Sequence, residues 1–212
     1  MTIRIKICGL RDAATAQAAA RLGADAIGLV FYEPSPRHVS CNVAHEIVAA
    51  LPPFVSSVGL FVDAPREEVE GVLRSVPLDL LQFHGDESPE YCRSFGRPYM
   101  KAVRVTAGVD LVEYADRYAD ARALLCDAFA ESAPGGTGHQ FDWSLLPPEL
   151  PLPLVLSGGL GPDNVAEAVR RVRPWAVDVS SGVERARGVK DVDCIARFIG
   201  AARGADVPVG QA

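Results

Sequence analysis

No stretch of the chain approaches the ~18 consecutive apolar residues of a membrane span. Its first apolar segment is broken by Arg4, Lys6, Arg11 and Asp12, so neither a membrane partner nor a signal peptide is expected. A basic surplus is missing as well. The net charge of −6 leaves no general cationic surface to displace counterions, which argues against nucleic acid as a partner. It leaves room for an anionic small molecule, which needs only a local site. There is no C-x-x-C: the five cysteines stand apart at 8, 41, 92, 126 and 194, and the histidines show no metal-ligand spacing. His45-Glu46 opens like a zinc-protease helix, but Ala49 occupies the place of the second histidine. No metal is therefore expected, and scattered thiols suit a reducing, cytoplasmic setting. A Rossmann fingerprint and a P-loop are both absent; the first turn reads Cys8-Gly9-Leu10-Arg11 rather than G-x-G-x-x-G.

What is present is a repeated unit. With 49% hydrophobic and 23% charged residues, the 212-residue chain can bury a full core. Apolar, β-rich runs begin near residues 3, 25, 54, 78, 98, 122, 153 and 175, each separation long enough for a strand, a turn and one helix. Helix signals fill the gaps: Asp12 to Leu22 stopping at Gly23, Asn42 to Leu51 before Pro52-Pro53, Pro65 to Leu73, a start at Ser88-Pro89-Glu90, Pro162 to Arg171, and Asp191 to Ala202. Eight strands alternating with about eight helices give an α/β chain with a parallel sheet, and this count in so short a chain favours a single-domain (β/α)8 TIM barrel over an open doubly wound sheet. The barrel is expected to span residues 1–203, with 204–212 a disordered tail. Residues 130–142, rich in glycine, would follow strand six on the functional face, as a lid or as a tolerated insertion.

In such a barrel the active site is built at the C-terminal ends of the strands. Alternation puts Ile3, Ile5 and Ile7 on one face of the first strand and Arg4, Lys6 and Cys8 on the other. A cysteine there is either a small core hydrophobe or, beside a cation, a reactive thiol. The same sorting groups Gln82 with His84, and Asp178 with Ser180, and sets Asp127 opposite Cys126, so that Lys6, Cys8, Gln82, His84, Asp127 and Asp178 form one inward polar set. Lys6 with Asp178 reads as a structural pair, because buried charges need partners. Ser157-Gly158-Gly159-Leu160-Gly161 and Ser180-Ser181-Gly182 are two glycine turns after strands seven and eight, where these barrels hold phosphate. Arg37, in the Pro-bracketed loop after strand two, is either an ordinary surface arginine or a fork for a carboxylate.

These segments together resemble the phosphoribosylanthranilate isomerase family: Lys6-Ile7-Cys8-Gly9, Gln82-Phe83-His84-Gly85, Asp127, Gly135-Gly136-Thr137-Gly138, Leu156-Ser157-Gly158-Gly159-Leu160, and Val177-Asp178 through Val183-Glu184, in order over nearly the whole chain. The resemblance implies an Amadori rearrangement of N-(5-phosphoribosyl)anthranilate in tryptophan biosynthesis, without cofactor or metal. It implies Cys8 as general base and Asp127 as general acid. It also implies Arg37 for the substrate carboxylate and the turns with Gly158, Gly159, Ser180, Ser181 and Gly182 for the phosphate; His84 and Asp178 join the substrate site. That chemistry asks for a raised Asp127 pKa and a depressed Cys8 pKa, with Lys6 a source of the latter. Oligomeric state varies in the family, so a monomer or a homodimer is expected. Two rivals remain: another phosphosugar barrel, and a non-catalytic barrel that binds a phosphorylated metabolite.

Overall fold

The computed structural model describes residues 2–127 and 143–205. Eight parallel strands close into a barrel: β1 (Arg4–Cys8), β2 (Ala26–Val30), β3 (Ser56–Phe61), β4 (Leu80–Phe83), β5 (Tyr99–Arg104), β6 (Leu124–Asp127), β7 (Leu154–Ser157) and β8 (Ala176–Val179). They begin one or two residues after the positions expected from sequence. Closure is made by β1 against β8, in a register that sets Lys6 beside Asp178. The open-sheet alternative is excluded by that pairing.

Among the described residues there are seven α-helices: α1 (Ala13–Leu22), α2 (Cys41–Ala49), α3 (Arg66–Ser75), α4 (Pro89–Arg93), α5 (Leu111–Arg117), α6 (Val165–Val172) and α7 (Val192–Ala205). Their ends follow from local chemistry. Asp12 accepts from the Thr15 amide at the start of α1, and Gly23, at φ 105°, ends it in a conformation that costs a glycine little. Ser40, Ser88 and Asp110 cap α2, α4 and α5 in the same way. Helix α6 starts at Val165 rather than Pro162, because Asn164 turns back: its amide accepts from Gly161 N–H and donates to Gly159 carbonyl. Helix α7 runs through Gly204 to Ala205, two residues into the stretch expected to fray. Between β6 and β7 the described residues hold only a short 3₁₀ turn, Trp143–Leu145. The glycine-rich segment 130–142 lies outside the described residues, as do 206–212. No described helix is long and apolar enough to cross a membrane.

Two apolar layers result from the strands' alternation. Val58, Met100, Ala102, Leu125, Val155 and Ala176 fill the barrel interior. Ile5, Ile7, Phe61, Leu81 and Phe83 face outward and pack under the helices. Phe83 anchors that outer layer, with the rings of Phe61, Tyr91, Phe95 and Tyr99 around it at 5.8–6.2 Å. After β8 the chain adds something the eightfold pattern does not contain: a 3₁₀ turn (Ser181–Val183) and a small antiparallel hairpin, β9 (Glu184–Ala186) with β10 (Val189–Lys190).

Candidate active site

A cavity of 310 Å³ opens at the C-terminal ends of the strands. Cys8, Arg37, Gln82, His84, Asp127, Gly158, Gly159, Asp178, Ser180 and Ser181 all line it, so the structure brings together nearly every residue singled out from sequence. Gly182 stands just behind the lining. A Cβ there would run into the Leu160 carbonyl, so a residue without a side chain is what lets the turns after β7 and β8 close on each other.

Lys6 and Asp178 meet on the barrel floor at 2.7 Å, both side chains 5% exposed. Ser157 Oγ donates to the other Asp178 oxygen at 3.2 Å. Cys8 sits one residue-pair above Lys6, in space made by Gly28 on β2, where a Cβ would come within 2.7 Å of the thiol sulfur and 3.0 Å of Lys6 Nζ. Burial pulls the Lys6 pKa down, but Asp178 and Cys8 beside it outweigh that and hold it above the ordinary value. The Cys8 thiol is pushed up: burial dominates, Asp178 adds to it, and Lys6 and Lys190 pull the other way. The expected depressed thiol is therefore not met, because removing the thiolate from water costs more than two nearby ammonium groups return. Cys126, by contrast, points into the apolar layer between β6 and the helices, where burial pushes its thiol to about 12; it is the structural cysteine of the Cys126-Asp127 pair.

Across the mouth, Asp127 ends β6 and its Oδ2 lies 3.0 Å from His84 Nε2. His84 Nδ1 in turn stands 2.9 Å from the Gln82 amide nitrogen, whose donation fixes Nδ1 as the acceptor and leaves the Nε2 proton for Asp127. His84 thus serves a hydrogen-bond network and lines the cavity at once. The loop carrying Arg37 is tied to the end of β2 by a Val30–His38 bridge and by the Val39 amide donating to the Val30 carbonyl. Inside that loop the Arg37 amide donates to Ser35 Oγ.

Sequence reasoning missed two parts of the site. One is an apolar wall, made by Val30, Tyr32, Leu60 and Val62 on neighbouring strand ends, a surface suited to a flat ring. Its signal was available, since Val30 and Leu60 share the inward face with Cys8. The other is the pair Glu184 and Lys190 in the hairpin. Glu184 Oε1 accepts from Arg37 Nε at 2.6 Å and from Lys190 Nζ at 2.9 Å, and Lys190 also donates to the carbonyl and hydroxyl of Ser180.

A sequence model described as "N-(5'phosphoribosyl)anthranilate (PRA) isomerase" matches residues 5–201. The chain is 58% identical over 203 residues to N-(5'-phosphoribosyl)anthranilate isomerase of Thiobacillus denitrificans, covering 96% of this chain and 99% of that one. It is 57% identical over 206 residues to the protein of the same name from Dechloromonas aromatica, with 97% and 99% covered. Among solved structures, phosphoribosyl anthranilate isomerase from Thermotoga maritima superposes with a TM-score of 0.87 at 44% identity, covering 95% of this chain and 99% of that one. A second isomerase structure, holding reduced 1-(o-carboxyphenylamino)-1-deoxyribulose 5-phosphate, matches with a TM-score of 0.84 at 43% identity and the same coverage. The chain belongs to the phosphoribosylanthranilate isomerase family.

Proposed function

We propose that the protein converts N-(5-phosphoribosyl)anthranilate into 1-(2-carboxyphenylamino)-1-deoxyribulose 5-phosphate, the Amadori step of tryptophan biosynthesis, by general acid–base catalysis between Cys8 and Asp127. The observation that carries this reading is the convergence on one 310 Å³ cavity of a buried thiol, a carboxylate on another strand end, an arginine and two small-residue turns. Each has a task in that reaction. The glycine and serine turns after β7 and β8 take the phosphate, where small side chains let peptide N–H groups approach an anion. Arg37 takes the anthranilate carboxylate through its planar fork, and the Val30–Leu60 wall takes the ring.

Ring opening comes first. Asp127 gives a proton to the ribose ring oxygen as the C1–O bond breaks, leaving a Schiff base between C1 and the anthranilate nitrogen. The proton on C2 is then acidic. Cys8, in the thiolate form that Lys6 and Lys190 favour against burial, removes it, and the electron pair moves to form an enolamine that tautomerises to the ketone. His84, hydrogen-bonded to Asp127, fixes where that carboxyl points. Asp178 enters through Lys6, whose charge it balances beneath Cys8. The barrel, with α7 as its last helix, is read as one catalytic unit. Five free thiols support a reducing cytosol as its setting. Either a monomer or a homodimer accords with the reading, since one related structure is of monomers generated from the dimeric Thermotoga maritima enzyme.

Purified protein supplied with phosphoribosylanthranilate, followed by loss of anthranilate-type fluorescence, tests the assignment. Turnover is expected without added metal or cofactor. Tight binding with no turnover would instead make this a barrel that only holds a phosphorylated metabolite.

A further inference from the structure

Arg37 does not stand alone at the mouth. Its guanidinium has two edges able to make paired hydrogen bonds. One edge is already taken: Nε donates to Glu184 Oε1 at 2.6 Å and Nη2 to Oε2 at 3.0 Å. Glu184 is itself saturated. Lys190 Nζ donates to Oε1 at 2.9 Å and the Gly188 amide to Oε2 at 3.0 Å, so its two oxygens accept four bonds, the number their lone pairs offer. A carboxylate so engaged has no capacity left to act as a base. Glu184 and Lys190 are 6% and 3% exposed, and neither lines the cavity that Arg37 lines. They stand behind it.

The backbone is shaped for this arrangement. Gly188 has φ 78°, and a Cβ on it would lie 2.5 Å from the Pro36 carbonyl, so the hairpin turn presses directly on the Arg37 loop. Gly9, also at φ 78°, leaves the space through which the Arg37 side chain passes: a Cβ there would lie 2.6 Å from Arg37 Cδ. Charge matters as much as shape. A carboxylate beside Arg37 would cancel its attraction for an anion, but Lys190 returns the cluster of Arg37, Lys190 and Glu184 to a net positive charge.

We propose that Glu184 and Lys190 are positioning residues for substrate recognition: Glu184 locks one edge of Arg37 so that the Nη1/Nη2 edge is presented to the substrate carboxylate, and Lys190 keeps that edge electropositive. The proposal rests on the reading that Arg37 binds the anthranilate carboxylate. Lys190 also holds the Ser180 carbonyl and hydroxyl, and Ser180 Oγ donates to the Cys8 carbonyl at 3.1 Å, so the same hairpin braces the phosphate turn and the strand carrying the base.

The test is a set of steady-state constants for Glu184→Gln and Lys190→Met, each alone and combined with Arg37→Ala. Each single variant is expected to raise KM roughly tenfold, the scale of one charge-assisted hydrogen bond; kcat should change far less in Glu184→Gln, and should also fall in Lys190→Met, because Lys190 faces Cys8 as well. In the Arg37→Ala background the Glu184→Gln effect should vanish, because its target is gone, and the Lys190→Met effect should shrink to the part carried by Ser180 and Cys8. Effects that persist in full there, or a KM unchanged in both single variants, would overturn the proposal. Should the hairpin variants not fold, Arg37→Lys carries the test: it keeps the charge but has no second edge, so KM should still rise, and an unchanged KM would overturn the fork argument. An unchanged KM in Arg37→Ala itself would remove the carboxylate assignment beneath it, a failure distinct from the others.

Discussion

Two lysine–carboxylate pairs are buried in this barrel, and they face opposite ways. Lys6–Asp178 lies inside the ring of strands, under the cavity. Lys101–Glu87 lies outside it, between β5 and the helices, at 3.2 Å and essentially without solvent exposure. The outer pair is closed by backbone: Lys101 Nζ donates to the carbonyls of Phe83, Gly85 and Ala102, and Glu87 accepts from the amides of Asp63 and Gly85. Tyr118 completes the knot, its ring 5.8 Å from Lys101 Nζ and its hydroxyl donating to the Glu87 carbonyl. The bonds of that pair are spent on backbone, tying the loop after β4, which begins at His84, to β5 and to the loop after β3. The inner pair leaves one side of Lys6 turned to the Cys8 thiol. A buried charge is therefore not in itself a sign of chemistry; where its remaining hydrogen-bonding capacity points is what separates a brace from a site.

The contrast breaks if the two regions respond alike to mutation. Asp127→Asn, at the mouth above the inner pair, should lose ~10²–10⁴ in turnover, the usual worth of a general acid. Its thermal midpoint should stay near that of the wild type, as read by circular dichroism. Lys101→Met should do the reverse. Stranding Glu87 should cost about 3–5 kcal/mol in a denaturant titration, while the folded fraction keeps its kcat. Adding Glu87→Leu should recover only part of that loss, since it removes the unpaired charge but leaves the Asp63 and Gly85 amides without their acceptor.

Lys6→Met sharpens the comparison further. Cys8 is faced by Lys6 on its own strand, Asp178 on β8 and Lys190 on β10. Removing one of the two cations disfavours thiolate, so the rising limb of the kcat/KM–pH profile should move to higher pH. A limb that stays in place would reduce Lys6 to a brace like Lys101. The smallest effect belongs to the hairpin. Burial raises the Glu184 pKa, but Arg37, Lys190 and the Gly188 amide outweigh it and bring the carboxyl to about 2. A folded pKa below the unfolded one adds stability at neutral pH that is lost as pH falls from the ordinary glutamate range towards 2. Glu184→Gln should flatten that part of the acid-unfolding curve.

The same inner–outer distinction decides what could be read from the chain. Ile3, Ile5 and Ile7 against Lys6 and Cys8 is a period of two, which assigns faces without any coordinates. Applied strand by strand, it puts His84, Asp127 and Asp178 on the inward face at the strand ends, and all three line the cavity. Lys101 escaped because a lysine amid Tyr99 and Met100 has no local signal of its partner; Glu87 lies on a different loop, and the carbonyls that hold it belong to folded backbone. Glu184 and Lys190 escaped because strands of three and two residues carry no periodicity, and Arg37 is 147 positions from Glu184. The direction of the Cys8 shift is not legible in sequence for a related reason: adjacency to Lys6 is visible there, whereas the depth of burial that opposes it is not.

Cys8→Ala is the most direct trial of the acid–base assignment. With phosphoribosylanthranilate as substrate, fluorescence decay should give a kcat/KM lower by ~10²–10⁴ than wild type, with an unchanged circular dichroism spectrum. A folded Cys8→Ala protein that turns over within a fewfold of wild type would contradict the account.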